Sequence, residues 1–391
     1  MEEKIVISDL DKDRYSRLGL IPWWNQEKLK NTLVMVVGVG ALGNEVVKNL
    51  ALLGVGKIII VDFDQIVNAD LTRSVLYRKE DDGKKKVEIA AERIQEINPE
   101  VKIQPLAGNI LWDVGLGIFR QVDIVIGCVD NREARLAINQ ACWRTNTPWI
   151  DGGIDVLNGV VSIFCPPENA CYECTLTDLD YNILGVRYSC PLLRYDDLLE
   201  GKTPTTSTIA SIIAGIQVQE AIKLIHCLEV PKGKGIVFNG LTYECYLIEY
   251  SKKNDCLSHE YYAEIVELNK GVENTTFREL LELARESLGK EVILELDRDI
   301  VTKLHCSKCQ EDTNIFKVLG KVTIEDGKCP KCEGIRNVSM TNIISLEEKF
   351  IDKNLAEVGI PPFHIIGARN GKKTKYFELT QDRKKTLGEV V

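Results

Sequence analysis

Positive charge is the first thing this sequence lacks. Across 391 residues, 49 Lys and Arg stand against 58 Asp and Glu, for a formal net charge of -9. Nucleic-acid binding needs a basic surface that displaces counterions, so no nucleic-acid partner is expected. No secretory leader is expected either: the sequence opens Met1-Glu2-Glu3 and alternates in charge, with no apolar stretch before a cleavage site. Long apolar runs are absent. The longest, Ile209 to Leu228, carries Gln217, Gln219, Glu220 and Lys223, which predicts a buried helix and no membrane span. There is neither an internal repeat nor a low-complexity linker. With 45% hydrophobic and 27% charged residues the chain is not disordered, and its length predicts two or three domains. Cysteine, by contrast, is plentiful. Thirteen thiols cannot all pair, and without a leader they are expected to serve metals or chemistry in a cytoplasmic protein.

The apolar run Leu33–Val37 ends in glycine, an amphipathic segment follows at 44–53, and a second β-type run covers 57–61. Strand, Gly-rich turn, helix and strand in about thirty residues make a βαβ unit and hence a parallel sheet. Further helices are expected at 87–97 and 132–145, and further strands at 101–104, 123–127 and near Trp149. The runs 160–165, 236–239 and 245–250 look like hairpins. The expected fold is therefore α/β: a Rossmann-like sheet, mostly parallel with an antiparallel far edge, over residues 1–260. Residues 261–391 should add a small α+β region, with a helix at 275–288, a strand at 291–296 and a cysteine-bearing insert at 304–334. The tail from Asn370 onward reads as a surface hairpin or partly ordered end.

The turn Gly38-Val39-Gly40-Ala41-Leu42-Gly43 follows a strand and opens a helix, so its backbone can approach a phosphate or ribose. Asp62, at the end of the next strand, is placed for ribose hydroxyls. Dehydrogenases, methyltransferases and adenylating enzymes all fit this much. Arg73, Lys86 and Asp130 narrow the choice. Two cations and a carboxylate around such a turn suit ATP with Mg²⁺ on Asp130, whereas a nicotinamide cofactor needs no metal ligand. Lys84 and Lys85 read as solvated surface charges, and Asp130 alone could be a cap for the helix at 132.

Residues 14–250 resemble the ThiF/MoeB family, which includes the adenylation domain of ubiquitin-activating enzymes. The resemblance is carried by Arg14-Tyr15-Ser16-Arg17, Gly38 to Gly43, Asp62-Phe63-Asp64 and Leu71-Thr72-Arg73. Gly83 to Glu88, Asn98-Pro99, Asp130-Asn131 and the helix 215–224 match too. It implies ribose on Asp62, phosphates on Arg73 and Lys86, Mg²⁺ on Asp130, and a nucleotide site that includes Asp64 and Asn131. It also implies that Arg17 reaches into a partner's site, which makes the protein a homodimer. One position departs: many members have Asn where this chain has Asp70, and a carboxylate beside phosphates is unfavourable unless it faces metal or solvent.

Cys171 and Cys174 form half of a tetrahedral site, completed by Cys256 and His259, where family members that keep zinc have a second C-x-x-C. Cys306, Cys309, Cys329 and Cys332 follow the spacing C-x2-C-x19-C-x2-C of a zinc ribbon, a structural Cys₄ site. Of the remaining thiols, Cys128, Cys142, Cys165, Cys227 and Cys245 lie in apolar runs and read as small hydrophobes. Cys190 stands apart in Arg187-Tyr188-Ser189-Cys190-Pro191. Relatives that form a covalent intermediate carry their cysteine in this crossover, and a neighbouring arginine favours the thiolate.

The expected activity is ATP-dependent adenylation of the C-terminal carboxylate of a ubiquitin-like protein, followed by thioester formation on Cys190. The alternatives are adenylation of a sulfur-carrier protein on the way to a thiocarboxylate, and a non-catalytic scaffold that binds a modifier. Intact Arg17, Arg73, Lys86 and Asp130 argue against the scaffold. Residues 261–391 are read as a docking region for the modifier or a conjugating enzyme.

Overall fold

The computed structural model describes residues 13–181 and 204–391. Its larger sheet contains β1 (Leu33–Val37), β2 (Lys57–Asp62), β3 (Lys102–Ala107), β4 (Ile124–Gly127), β5 (Trp149–Asp155), β6 (Asn158–Phe164), β7 (Lys234–Asn239) and β8 (Glu244–Glu249). Their order is β3-β2-β1-β4-β5-β6-β7-β8. The first five run parallel. The last three run antiparallel, as the hairpin-like runs led us to expect. The central strands are buried on both faces, which is why they read as unbroken Val and Ile.

One face is covered by α2 (Ala41–Leu53), α3 (Lys86–Ile97) and α7 (Ser207–Ile225), with α1 (Gln26–Asn31) beside them. By length and composition α7 could cross a bilayer. Here Ile209, Ile213, Ala214 and Val218 are instead buried against the sheet. The opposite face takes α4 (Leu116–Gln121) and α5 (Arg132–Thr145), and α6 (Tyr172–Thr175) packs beside α5. α5 keeps its expected limits for local reasons: the Asn131 side chain accepts the Ala134 N–H at 2.8 Å, and Asn146 stops the helix in the left-handed region at φ 57°.

After residue 260 come β9 (Ile265–Leu268), α8 (Phe277–Leu288), β10 (Ile293–Cys306), β11 (Glu311–Val318), β12 (Asn337–Ile344), β13 (Ile365–Asn370) and β14 (Lys373–Leu379). They form a second sheet of order β11-β10-β13-β14-β9, with β12 pairing β10. The strand expected at 291–296 runs on to Cys306, because its buried–exposed alternation continues through Ile300.

The tail is not a surface end. β14 leads into a short helix, Arg383–Leu387, and both Leu387 and Val390 are buried in the same core as Met35, Val37 and Val125 of the larger sheet. Tyr262, Phe363 and Ile365 join them. The second sheet is therefore seated on the larger one. Polar contacts fix the seat: Gly117 N–H donates to Phe363 O at 3.0 Å, and Leu116 N–H to His364 Nδ1 at 3.2 Å. Arg120 bridges Glu267 and buried Glu378, while Arg298 donates to Trp112 O at 3.0 Å.

Candidate functional site

The Gly-rich turn lies at the carboxyl end of β1, the edge where an open α/β sheet takes its ligand. Gly38 has φ +88°, and a Cβ there would lie 2.5 Å from the Cys128 carbonyl oxygen. A Cβ at Gly43 would overlap the Gly38 carbonyl. Gly40, the first-turn cap of α2, differs: a Cβ there would meet nothing within 4 Å. The turn is thus closed on its protein side and open at Gly40, where a ligand can approach the backbone. Asn44 and Tyr77 brace it from below. The buried Asn44 amide donates to Val39 O (2.6 Å) and Gly40 O (3.0 Å) and accepts the Leu76 N–H at 2.9 Å. The Tyr77 hydroxyl donates to Val39 O at 2.6 Å. Neither brace was anticipated, since a buried amide inside a helix carries no distinct sequence signal.

Asp62 accepts the Val39 N–H at 2.8 Å and the Asp64 N–H at 2.9 Å. Burial raises its pKa above the usual carboxylate value, against the opposing effects of these N–H groups and the Lys86 charge. Lys86 opens α3 with its ammonium almost fully buried, 2.8 Å from Asp64 Oδ2 and 3.7 Å from Asp70 Oδ2. Burial alone would lower its pKa, but the Asp64 hydrogen bond and the charges of Asp62, Asp64 and Asp70 outweigh it and raise the net value. Arg73 Nη2 donates to Asp70 Oδ1 at 3.1 Å. Asp70 is therefore shielded from solvent: it is 4% exposed and lies between the two cations. Lys84 and Lys85 are exposed and paired locally with Asp81 and Glu88, as surface charges should be.

Asp130 lies just past the end of β4 and is exposed, while the cap of α5 is Asn131. The cap therefore does not use Asp130, whose Oδ1 accepts from Asn131 Nδ2 at 3.3 Å. Beneath it sits a buried pair that sequence reading missed. Arg135 Nε donates to both Asp151 oxygens at 3.1 and 3.0 Å, and Nη2 donates to Val129 O at 2.8 Å and Gly152 O at 3.2 Å. This fork ties the backbone entering Asp130 to β5. Gln217 of α7 donates to Gly127 O at 2.9 Å and completes the support.

A Gly-rich turn open at Gly40, a buried and a half-buried cation, and an exposed carboxylate just past β4 are a set whose chemistry suits a polyphosphate ligand. Residues 13–258 match the model of the ThiF family. The chain belongs to the ThiF family. It is 31% identical over 243 residues to ubiquitin-like modifier-activating enzyme 5 of Dictyostelium discoideum, a match covering 57% of this chain and 61% of that protein. It is 28% identical over 238 residues to the sulfur carrier protein ThiS adenylyltransferase of Escherichia coli K12, covering 60% of this chain and 89% of that protein. The fold is similar to E. coli MccB crystallised with MccA-N7isoAsn, with TM-score 0.53 and 26% identity over 64% of this chain and 76% of that one. The chain thus spans about three fifths of the length of the activating enzyme it matches.

Among the described residues of this ThiF-family chain, two clusters can hold a metal ion, each with four donor atoms within 4.8 Å of one another. In the first, Cys171 Sγ lies 3.6 Å from Cys174 Sγ and 3.5 Å from Cys256 Sγ, and His259 Nε2 lies 3.4 Å from Cys174 Sγ. The Cys171 hydrogen bond lowers the Cys174 thiol and, with burial, raises that of Cys171, so one proton is shared unequally by the pair. Trp143 of α5 stacks on His259 at 4.1 Å and orients the ring. The second cluster, Cys306, Cys309, Cys329 and Cys332, sits between the end of β10 and β12. His305 beside it pairs with Asp312 at 2.7 Å and is not among the donors.

Among the described residues, one expected site residue is not brought to the Gly-rich turn. Arg17 is exposed, in a turn that packs at the far end of α2: Tyr15 lies against Gly54 and accepts from Asn98 at 2.7 Å. Thirteen residues of helix put that end about 20 Å from Gly40. Cys190 lies outside the described residues, as does Arg187. Of the five thiols read as small hydrophobes, Cys142 is buried and Cys128 and Cys165 are half-buried, but Cys227 and Cys245 are exposed. Their runs lie at a helix end and on the edge strand β8, where apolar sequence does not ensure burial.

Proposed function

We propose that this chain adenylates the C-terminal carboxylate of a small ubiquitin-like or sulfur-carrier protein. The observation that carries this reading is the open Gly40 face flanked by Asp62, Lys86, Arg73 and Asp130. The substrate carboxylate oxygen attacks the α-phosphorus of ATP, the bond to the bridging oxygen breaks, and acyl-adenylate and pyrophosphate form. Lys86 and Arg73 bind phosphate oxygens and stabilise charge at the transition state, mainly by position and electrostatics. Asp62 binds the ribose, with Asp64 and Asn131 completing the site. Asp130 holds Mg²⁺, which supplies charge neutralisation on the phosphates. Arg17 serves the site of a partner copy, in keeping with its place at the far end of α2, so the working unit is a homodimer.

In this reading residues 1–260 form the adenylation domain, and Cys190 takes the acyl group from the adenylate as a thioester. Zinc fills both cysteine clusters as a structural ion, because all four positions of each are protein donors. Residues 261–391 contribute a docking surface for the modifier or a conjugating enzyme. The sulfur-carrier alternative is supported by coverage, since 89% of the ThiS adenylyltransferase is matched. A cytoplasmic location fits either reading.

Pyrophosphate exchange with Mg·ATP and a candidate modifier tests the proposal. Lys86→Ala and Asp130→Ala should abolish exchange, whereas Cys190→Ala should keep it; normal exchange in the first two sinks the assignment. Intact-protein mass spectrometry separates the pathways. A modifier-sized adduct that is released by thiol and absent in Cys190→Ala marks the thioester route. A modifier thiocarboxylate formed with an added sulfurtransferase marks the sulfur route.

A further inference from the structure

Asp70 touches both cations of the polyphosphate cradle. Its Oδ1 accepts from Arg73 Nη2 at 3.1 Å, and its Oδ2 lies 3.7 Å from Lys86 Nζ. Oδ2 also accepts the Val67 N–H at 3.2 Å, which pins the carboxylate to its own backbone turn. At 4% exposure it has no route to solvent. Asp70 therefore cannot step aside when a ligand arrives, and the cations meet phosphate while still held by it. Counting Asp62 and Asp64, three carboxylates already oppose two cations before any phosphate enters.

Two effects of this carboxylate compete. It fixes two long side chains in place, which favours binding by sparing their rotamer entropy. It also cancels part of their field and repels phosphate from behind them, which opposes binding. In a half-buried site a full charge a few ångströms from both cations outweighs the freedom of Arg73 and of Lys86, which Asp64 and the start of α3 already restrain. The net effect is a cradle that is ordered but weak.

Weakness has a use in an adenylation, because pyrophosphate must leave after it forms and a fully charged cradle would retain it. We propose that Asp70 is a positioning residue that lowers the cradle's affinity for polyphosphate so that pyrophosphate is released. This inference rests on the adenylation reading above.

Titration calorimetry on the full chain tests it, using Mg·ATP, Mg·pyrophosphate and adenosine as separate probes. Asp70→Asn keeps an acceptor for the Val67 N–H while removing the charge. It should bind Mg·pyrophosphate and Mg·ATP about tenfold more tightly and adenosine unchanged, as expected for a purely electrostatic change. In exchange assays KM for ATP and kcat should fall together, with a burst of pyrophosphate in the first turnover. A merely structural role would weaken all three ligands. Equal or weaker pyrophosphate binding with intact adenosine binding overturns the proposal. If Asp70→Asn fails to fold, Asp70→Ser is read the same way, and loss of fold in both variants overturns it in favour of a structural role. Failure of the wild-type chain to bind Mg·ATP or Mg·pyrophosphate would instead refute the adenylation reading itself.

Discussion

Gly40 and Gly43 lie three residues apart in one turn, yet a methyl group at each has a different consequence. At Gly43 the added carbon would overlap the Gly38 carbonyl, and only a backbone shift relieves it. Gly43→Ala should cost about 1–3 kcal/mol of stability, the usual range for overpacking, and abolish ATP binding with it. At Gly40 the same carbon enters open space. Gly40→Ala should leave the thermal midpoint nearly unchanged and still weaken ATP binding, because only the ligand meets the methyl group. Melting curves and nucleotide titration on the two variants check the pair; equal losses of stability would contradict it. That Asp62, Arg73 and Lys86 gather beside the Gly-rich turn was legible from their spacing. How they are held was not. The Asp151 partner of Arg135 is sixteen residues away on the following strand, and nothing in the local pattern of either residue marks the contact.

At the scale of elements, the second cysteine cluster is set up by the strands around it. Cys306 ends β10, and the Cys309 N–H points at its sulfur at 3.4 Å. Gln310 and Glu333 turn each knuckle with positive φ, and their N–H groups donate back to Cys306 O and Cys329 O at 2.8 Å. The donors are thus held together by local turns and by the pairing of β10 with β11 and β12. Cys309→Ser should therefore lower bound zinc, measured by elemental analysis, from about two equivalents to about one, while ATP affinity stays as in wild type. Loss of both equivalents, or of ATP binding, would show that this cluster is not an independent site. The ribbon was readable because its signal is four like residues at short spacing. The seat of the second sheet was not, because Leu387, Val390 and Phe363 look like ordinary scattered apolar residues until the sheet they cover is built. The lysines around them, Lys372, Lys373, Lys384 and Lys385, made the tail read as surface, and they do lie outward from that apolar stripe.

At the scale of the whole molecule, the joint between the two sheets contains a titratable group. His364 is fully buried, accepting the Leu116 N–H at Nδ1 and lying 3.1 Å from Asp297 Oδ1 at Nε2. Burial, with Arg298 and Arg144 nearby, holds it below its usual 6.5, although Asp297 pulls the other way. The unfolded chain takes up a proton near pH 6.5 that the folded chain refuses. Stability from this group is therefore fully present above that pH and declines as pH falls from 6.5 towards the folded value. The slope is at most about 1.4 kcal/mol per pH unit. Asp297, held well below the usual carboxylate range by Arg298 and His364 against the effect of burial, adds its own loss only in stronger acid. Urea unfolding between pH 7 and 5 should show this decline in wild type and a flatter profile in His364→Gln; parallel profiles would remove His364 as the cause.

The shared core also sets a timetable for synthesis. All eight strands of the larger sheet have been made by residue 249, yet one of its apolar faces is closed by residues between Phe363 and Val390. At roughly 5–20 residues per second, a ribosome needs about 7–30 seconds to cover that distance. Throughout that interval Met35, Val37 and Val125 lack part of their cover. The nascent chain must therefore spend seconds as a sheet with one side only partly covered by α4 and α5, a period in which chaperone capture or self-association competes with the docking of its own later residues.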